Sequence, residues 1–179
     1  MKKNKIIITG GAGFVGTNLI NLLLKKTKYK IISIDNYSSG LKKNHINDNR
    51  VNYIKADTIN ISHILKNPEC INSIFHFGEF ARIYQSFLKM NECINSNSIG
   101  SNAVFNYCLK NKIKLIYSAT SASLGNKGND KNLSPYAFTK SKNTSVSTSN
   151  SLLKVECFQK AIYGLKFYYF LYNKLIPSL

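Results

Sequence analysis

Lys5-Ile6-Ile7-Ile8-Thr9-Gly10-Gly11-Ala12-Gly13-Phe14-Val15-Gly16 is the stretch on which the fold turns. An apolar run leads into a cluster of glycines, and the glycines open the amphipathic segment Phe14–Lys26. That order predicts a buried strand, a tight turn and a helix. Gly10 permits the turn, Gly13 lets the backbone approach a pyrophosphate, and Gly16 lets the helix pack closely on the strand. N–H groups in the helix's first turn, at Phe14 and Val15 ahead of Gly16, lack intrahelical acceptors. Together with the helix dipole they favour a phosphate at that end. Three glycines alone are a weak signal, and a plain strand-to-helix loop is the alternative. The flanking strand and helix favour dinucleotide binding.

Working outward, strand-like runs recur at Lys5–Thr9, Lys30–Asp35, 51–57, 73–77 and 114–120. Helical patterns are clearest at Phe14–Lys26 and 97–111. Strands alternating with helices predict an α/β fold, a Rossmann-type doubly wound parallel sheet covered on both faces. Ligands of such sheets bind beyond the carboxyl ends of the strands.

Composition narrows the function classes. The chain has 179 residues, enough for one domain with its own core. Its 44% hydrophobic and 12% aromatic content is that of a globular protein. A net charge of +17 raises the question of nucleic acid. The lysines are scattered from Lys2 to Lys174, and arginine occurs only at Arg50 and Arg82. Without a basic stripe interleaved with aromatics, the excess reads as compositional bias, and no nucleic-acid partner is expected. Cys70, Cys93, Cys108 and Cys157 show no paired spacing, so they read as free thiols in a reducing, cytoplasmic setting, with no metal site. The apolar run before the glycines is too short for a secretory signal. The Tyr- and Phe-rich stretch at 161–172 is too short to span a bilayer, so no membrane partner is expected.

Chemistry-bearing residues fall at the predicted strand ends. Asp35 closes the second strand 19 residues after Gly16, where a carboxylate accepts both ribose hydroxyls of NAD and repels a 2′-phosphate. No Lys or Arg follows until Lys42, which favours NAD over NADP. Asp35-Asn36-Tyr37 is also a plausible strand-end turn. Asp57 ends the third strand in the same way, facing the adenine or serving as a cap. Tyr136 and Lys140 stand four residues apart on one helix face, with Pro135 at the helix start. A free phenol titrates near ~10, and a neighbouring ammonium and a cationic nicotinamide both favour phenolate. Upstream, Tyr117-Ser118-Ala119-Thr120-Ser121-Ala122 sets hydroxyls at the end of the fifth strand, able to share a proton with the oxygen that Tyr136 would address.

With these residues in order, the chain resembles the extended short-chain dehydrogenase/reductase family, the NAD-dependent epimerases and dehydratases of nucleotide sugars. The resemblance spans about residues 5–140. It includes His76-Phe77-Gly78 at the fourth-strand end, Asn97-Ser98-Ile99-Gly100-Ser101 as the Asn-x-x-Gly-Thr segment, and the hydroxyl-rich stretch from Ser118 to Gly125. It implies Tyr136 as base, Thr120 assisting at the sugar hydroxyl, Lys140 on the nicotinamide ribose, and Asn97 in the cofactor site. Arg82 reads as a surface residue or a phosphate contact. Thr120 is followed by Ser121-Ala122, without the acid pair of the dehydratases, so the pattern resembles the 4-epimerases similar to UDP-glucose 4-epimerase. The implied reaction is C4 epimerisation of a UDP-sugar through a transient 4-keto intermediate. The alternatives are a cofactor-binding remnant without turnover and, less favoured, a reductase or dehydratase.

Residues 1–142 form the expected NAD-binding domain, and 143–179 an atypical tail. Family members carry a C-terminal substrate domain, so the chain reads as truncated, with sequence beyond about Asn143 lost or frame-disrupted. A shortened but selected protein is the rival. The run from Asn143 to Asn150 consists almost entirely of poor helix formers and predicts that the Tyr136 helix breaks there. Residues 163–173 resemble a sixth strand, although Leu124 and the segment after Asn173 depart from the family pattern. An intact Tyr136 helix, paired with 97–111, implies the family's homodimer bundle.

Overall fold

The computed structural model describes residues 3–120, 129, 132–149 and 155–157. Among them six strands form one parallel sheet: β1 (Lys5–Thr9), β2 (Lys30–Asp35), β3 (Val51–Lys55), β4 (Ile71–His76), β5 (Lys114–Tyr117) and β6 (Val155–Cys157). Their order is β3-β2-β1-β4-β5-β6, the doubly wound Rossmann arrangement. Strand β1 pairs with β2 through Ile6↔Ile31 to Thr9↔Ile34, and with β4 through Ile6↔Ser73 to Thr9↔His76. A strand hydrogen-bonded on both sides and covered on both faces has no solvent side. Ile6, Ile7 and Ile8 are accordingly all fully buried.

Alternation along the strands divides the core into two layers. Ile7, Ile34, Ile74 and Leu115 pack with Val104, Phe105 and Cys108 of helix α5 (Ser101–Lys110). Ile6, Ile8, Phe75 and Ile116 pack with Leu19, Ile20 and Leu23 of α1 (Phe14–Lys26). The last carbonyls of α1 are satisfied by Arg50, whose guanidinium donates to Leu24 O at 3.0 Å and Thr27 O at 2.9 Å. Two short helices, α2 (Ile61–Ile64) and α3 (Ile83–Leu88), lie in the connections after β3 and β4.

Several boundaries differ from the sequence expectation. Strand β3 stops at Lys55, opposite the end of β2 at Asp35, and β5 stops at Tyr117, opposite the end of β4 at His76. Beyond those pairs the neighbouring strand has ended, so no ladder partner remains. The helix expected over 97–111 starts earlier, as α4 (Met90–Ile94), widens into a π-helical stretch at Asn95–Gly100 and continues as α5. In the wide turn Ser96 Oγ and Asn97 Oδ1 both accept the Phe80 N–H, at 3.1 and 2.6 Å.

Helix α6 (Pro135–Ser149) runs through the Ser/Thr-rich stretch that composition predicts to break it. Thr144 Oγ1 donates to Lys140 O at 2.8 Å, and Ser145 Oγ donates to Ser141 O at 3.1 Å, so the hydroxyls bond back onto the helix. Burial of Thr139, Lys140, Asn143 and Thr144 supplies the tertiary support that propensity lacks. The sixth described strand is Val155–Cys157, paired with Leu115–Tyr117; the sequence reading placed a sixth strand at 163–173. That stretch, and Ser121 to Gly125, lie outside the described residues. Among the described residues no helix is long and apolar enough to cross a membrane.

Candidate active site

A cavity of about 780 Å³ opens at the carboxyl ends of the strands, beside the point where β1 is flanked by β2 and β4. Topology makes this crevice, because the chain leaves β1 for β2 on one side and later crosses from β3 to β4 on the other. Gly10, with φ +72°, turns the chain into it, and a Cβ there would lie 2.8 Å from the Phe77 carbonyl. A Cβ on Gly16 would lie 2.6 Å from Gly11 Cα and against Gly10 O, so α1 packs on the turn only because that side chain is absent. Gly13 is the N-cap of α1, with no side-chain cap and no acid in the first turn. Gly13, Phe14, Val15 and Gly16 line the cavity, placing the positive end of a long helix against it.

Asp35 and its neighbours form one end. The Asp35 carboxylate accepts the Ala12 N–H at 2.9 Å and the Tyr37 N–H at 2.8 Å, one on each oxygen. It is thereby fixed in position and retains lone pairs for further donors. Asn36 Nδ2 donates to Asp57 Oδ1 at 2.6 Å, and Asn36 Oδ1 accepts the Ser38 N–H. All three side chains therefore shape the strand-end turns, and all three line the cavity.

The opposite end holds a buried polar network. Phe77 and Gly78 donate their N–H groups to Thr9 Oγ1, which sits 2.7 Å from His76 Nδ1. His76 Nε2 lies 2.8 Å from Ser101 Oγ, and Ser101 Oγ donates to Glu79 Oε1 at 2.7 Å. A Ser101 proton committed to Glu79 leaves its oxygen to accept from Nε2–H, so the Thr9 hydroxyl donates to Nδ1. Burial pushes the imidazole down to about 4; Glu79 opposes the shift and Lys140 adds to it, so His76 is neutral at pH 7.

Glu79 Oε1 also accepts from Tyr117 OH and Asn143 Nδ2, each at 3.1 Å, while Oε2 pairs with the Lys140 ammonium. Burial raises the pKa of this carboxyl. The charge and hydrogen bond of Lys140, with the Ser101 hydroxyl, more than offset that and hold it below the usual range. The ammonium donates also to Ser118 O and lies 4.5 Å from the centre of the Tyr117 ring. One helical turn away, Tyr136 OH donates to Thr120 Oγ1 at 3.3 Å. Glu79 and Ser118, the two groups that Lys140 holds, line the cavity, while Lys140, Tyr136 and Thr120 stand behind that lining.

Asn97 stands one step back. It is fully buried, donates to Phe80 O at 3.0 Å and Thr139 Oγ1 at 3.2 Å, and accepts the Phe80 N–H. Its contacts lie with the loop after β4 and with α6, and its carbonyl accepts from Asn143. Arg82 is exposed at the start of α3. The glycine turn, the uncapped α1 and the anchored Asp35 together fit a dinucleotide: a cradle that a Cβ would fill, a positive helix end for the phosphates, and an acceptor for ribose hydroxyls.

Residues 6–149 match the family model of the NAD-dependent epimerase/dehydratase family. The chain belongs to that family. A curated relative, the ADP-L-glycero-D-manno-heptose-6-epimerase of Brachyspira hyodysenteriae, is 30% identical over 148 residues, covering 75% of this chain and 45% of the relative. The solved UDP-N-acetylglucosamine 4-epimerase of Methanobrevibacter ruminantium M1, in complex with UDP-N-acetylmuramic acid, is 27% identical with TM-score 0.75, over 89% of this chain and 55% of that one. The UDP-glucose 4-epimerase of Brucella ovis in complex with NAD shares the fold, with TM-score 0.75 at 19% identity over 87% and 51% of the two chains. The chain thus spans about half the length of these relatives. As a member of an NAD-dependent family its cofactor is NAD.

Glu79 is a site residue that sequence reasoning did not single out, and Ser101, read only as part of the Asn-x-x-Gly-Thr segment, donates to it. A signal for Glu79 was present. It is one of only 8 acids in the chain, and it follows His76-Phe77-Gly78 directly at a strand's carboxyl end.

Proposed function

We propose that this chain serves NAD-dependent C4 epimerisation of a UDP-sugar, in cytoplasmic carbohydrate metabolism and as a homodimer. The observation carrying the reading is the Tyr136 phenol on the Thr120 hydroxyl at 3.3 Å, one helical turn from the buried Lys140. When bound, NAD supplies reversible hydride acceptance, which lets a sugar carbon pass through a ketone and regain its hydroxyl in the opposite sense. Tyr136 takes the proton from the C4 hydroxyl as that ketone forms and returns it afterwards. Thr120 shares the same oxygen and orients it. Lys140 holds the nicotinamide ribose, Asp35 the adenosine ribose, and Gly13 with the first turn of α1 the pyrophosphate. Asn36 and Asp57 border the adenine end, and Asn97 acts through Phe80 by holding the loop after β4.

Interconversion of UDP-glucose and UDP-galactose, followed by proton NMR with Tyr136→Phe as control, tests the reaction. Turnover lost in the variant is the expected result. Inactivity at saturating substrate, with NAD⁺ still raising the melting temperature, would leave a cofactor-binding protein without this reaction. The melt has its own expectation: NAD⁺ at ~100 times Kd should stabilise the fold by roughly 2.7 kcal/mol.

A further inference from the structure

Glu79 and Lys140 are an ion pair almost wholly removed from water, with side chains 4% and 5% exposed, and Glu79 lines the cavity. Three further donors, from Ser101, Tyr117 and Asn143, hold the carboxylate in place. His76, which also faces this carboxylate through Ser101, is neutral, so the pair contributes no net charge to this end of the cavity. Glu92, also on the cavity wall, pairs with Lys89 at the surface. Asp35 and Asp57 lie at the opposite end.

An unpaired ammonium here would act differently on the two forms of a nicotinamide cofactor. The oxidised ring is a cation and the reduced ring is neutral, and at low dielectric a like charge nearby disfavours the cation strongly. We propose that Glu79 is the positioning residue that sets which redox form this cavity prefers, its carboxylate cancelling the Lys140 charge so that the oxidised cofactor is accepted. The inference rests on the reading that the cavity takes NAD with its nicotinamide beside Glu79 and Ser118. A protein that must start each cycle with NAD⁺ needs such a counter-ion, because Lys140 alone would favour NADH.

The test is the ratio of Kd for NAD⁺ to Kd for NADH, measured by calorimetry on the full chain. In Glu79→Gln the ratio should rise by at least about fivefold, since one net positive charge is left beside the ring. In Lys140→Met it should fall, and in the double variant it should return to the wild-type value. Glu79→Asp, which keeps the charge, should retain that value. A purely structural lesion weakens both cofactor forms alike and leaves the ratio unmoved. An unchanged ratio in folded Glu79→Gln overturns the proposal while leaving the NAD site intact. Should Glu79→Gln not fold, the Lys140→Met ratio decides: a fall supports the proposal, no change overturns it. A wild-type chain that binds neither form overturns the nucleotide-site reading, and this proposal with it.

Discussion

His76 is where a single residue most clearly couples the site to stability. Its imidazole titrates near 6.5 when unfolded and about 4 when folded. Between those values the unfolded chain holds the extra proton, so stability rises with pH. The contribution is complete above pH 6.5 and lost as pH falls towards 4. It amounts to about 3 kcal/mol. Glu79, whose pKa is lowered, adds a further loss as pH falls through its own folded value. Urea unfolding across this range should show the slope, and His76→Asn should flatten its upper part. The Glu79–Lys140 pair makes a second prediction. Glu79→Ala leaves a buried ammonium without its counter-ion and should cost ~3–5 kcal/mol, much of it recovered when Lys140→Met is added. A cycle of urea melts measures the coupling. The placement of Tyr136 and Lys140 on one helix, and of Thr120 just past β5, was legible in sequence because it follows from residue type and spacing. Glu79 was hidden because its partners come from α5, β5 and α6, remote in sequence.

At the scale of elements, α1 and α6 illustrate opposite cases. The bounds of α1 were readable because the glycine turn starts it and its apolar face is periodic. Gly16→Val should push α1 off the turn and destabilise the fold by several kcal/mol, since the added atoms meet backbone that cannot yield. Loss of cooperative thermal melting, or a large fall in its midpoint, is the readout. Helix α6 was not readable past Asn143, because its support is the buried contact of Asn143 and Thr144 and not the propensity of its residues. Ser145 is exposed, and its hydroxyl bonds back onto Ser141 O of its own helix. Ser145→Ala should therefore stabilise the chain by a few tenths of a kcal/mol, about 0.5 at most, checked by denaturant midpoint.

For the molecule as a whole, charge and apolar surface set the expectations. With 25 Lys and Arg against 8 Asp and Glu, the folded chain repels itself. Raising salt from ~0.02 to ~0.3 M shortens the screening length and should raise the melting temperature. An apolar face made by α3, α4 and α6, with Phe87, Met90, Ile94, Leu133 and Phe138 around a hollow of about 410 Å³, is where the proposed homodimer would close. Phe87, on that hollow and 53% exposed, is a probe: under the proposed homodimer the wild type should sediment as a dimer and Phe87→Glu as a monomer.

From sequence alone followed the parallel sheet, the glycine turn ahead of α1, the position of Asp35 at the end of β2 and the placement of Tyr136 and Lys140 on one helix. These depend on local periodicity, backbone conformation and spacing along one helix, all of which act over a few residues. Only the tertiary structure decided that α6 survives a run of poor helix formers, that the sixth described strand is Val155–Cys157, and that Lys140 meets Glu79. Those outcomes depend on which groups are taken out of water together, and desolvation brings charges from β4 and α6 to one point that no spacing in the chain announces.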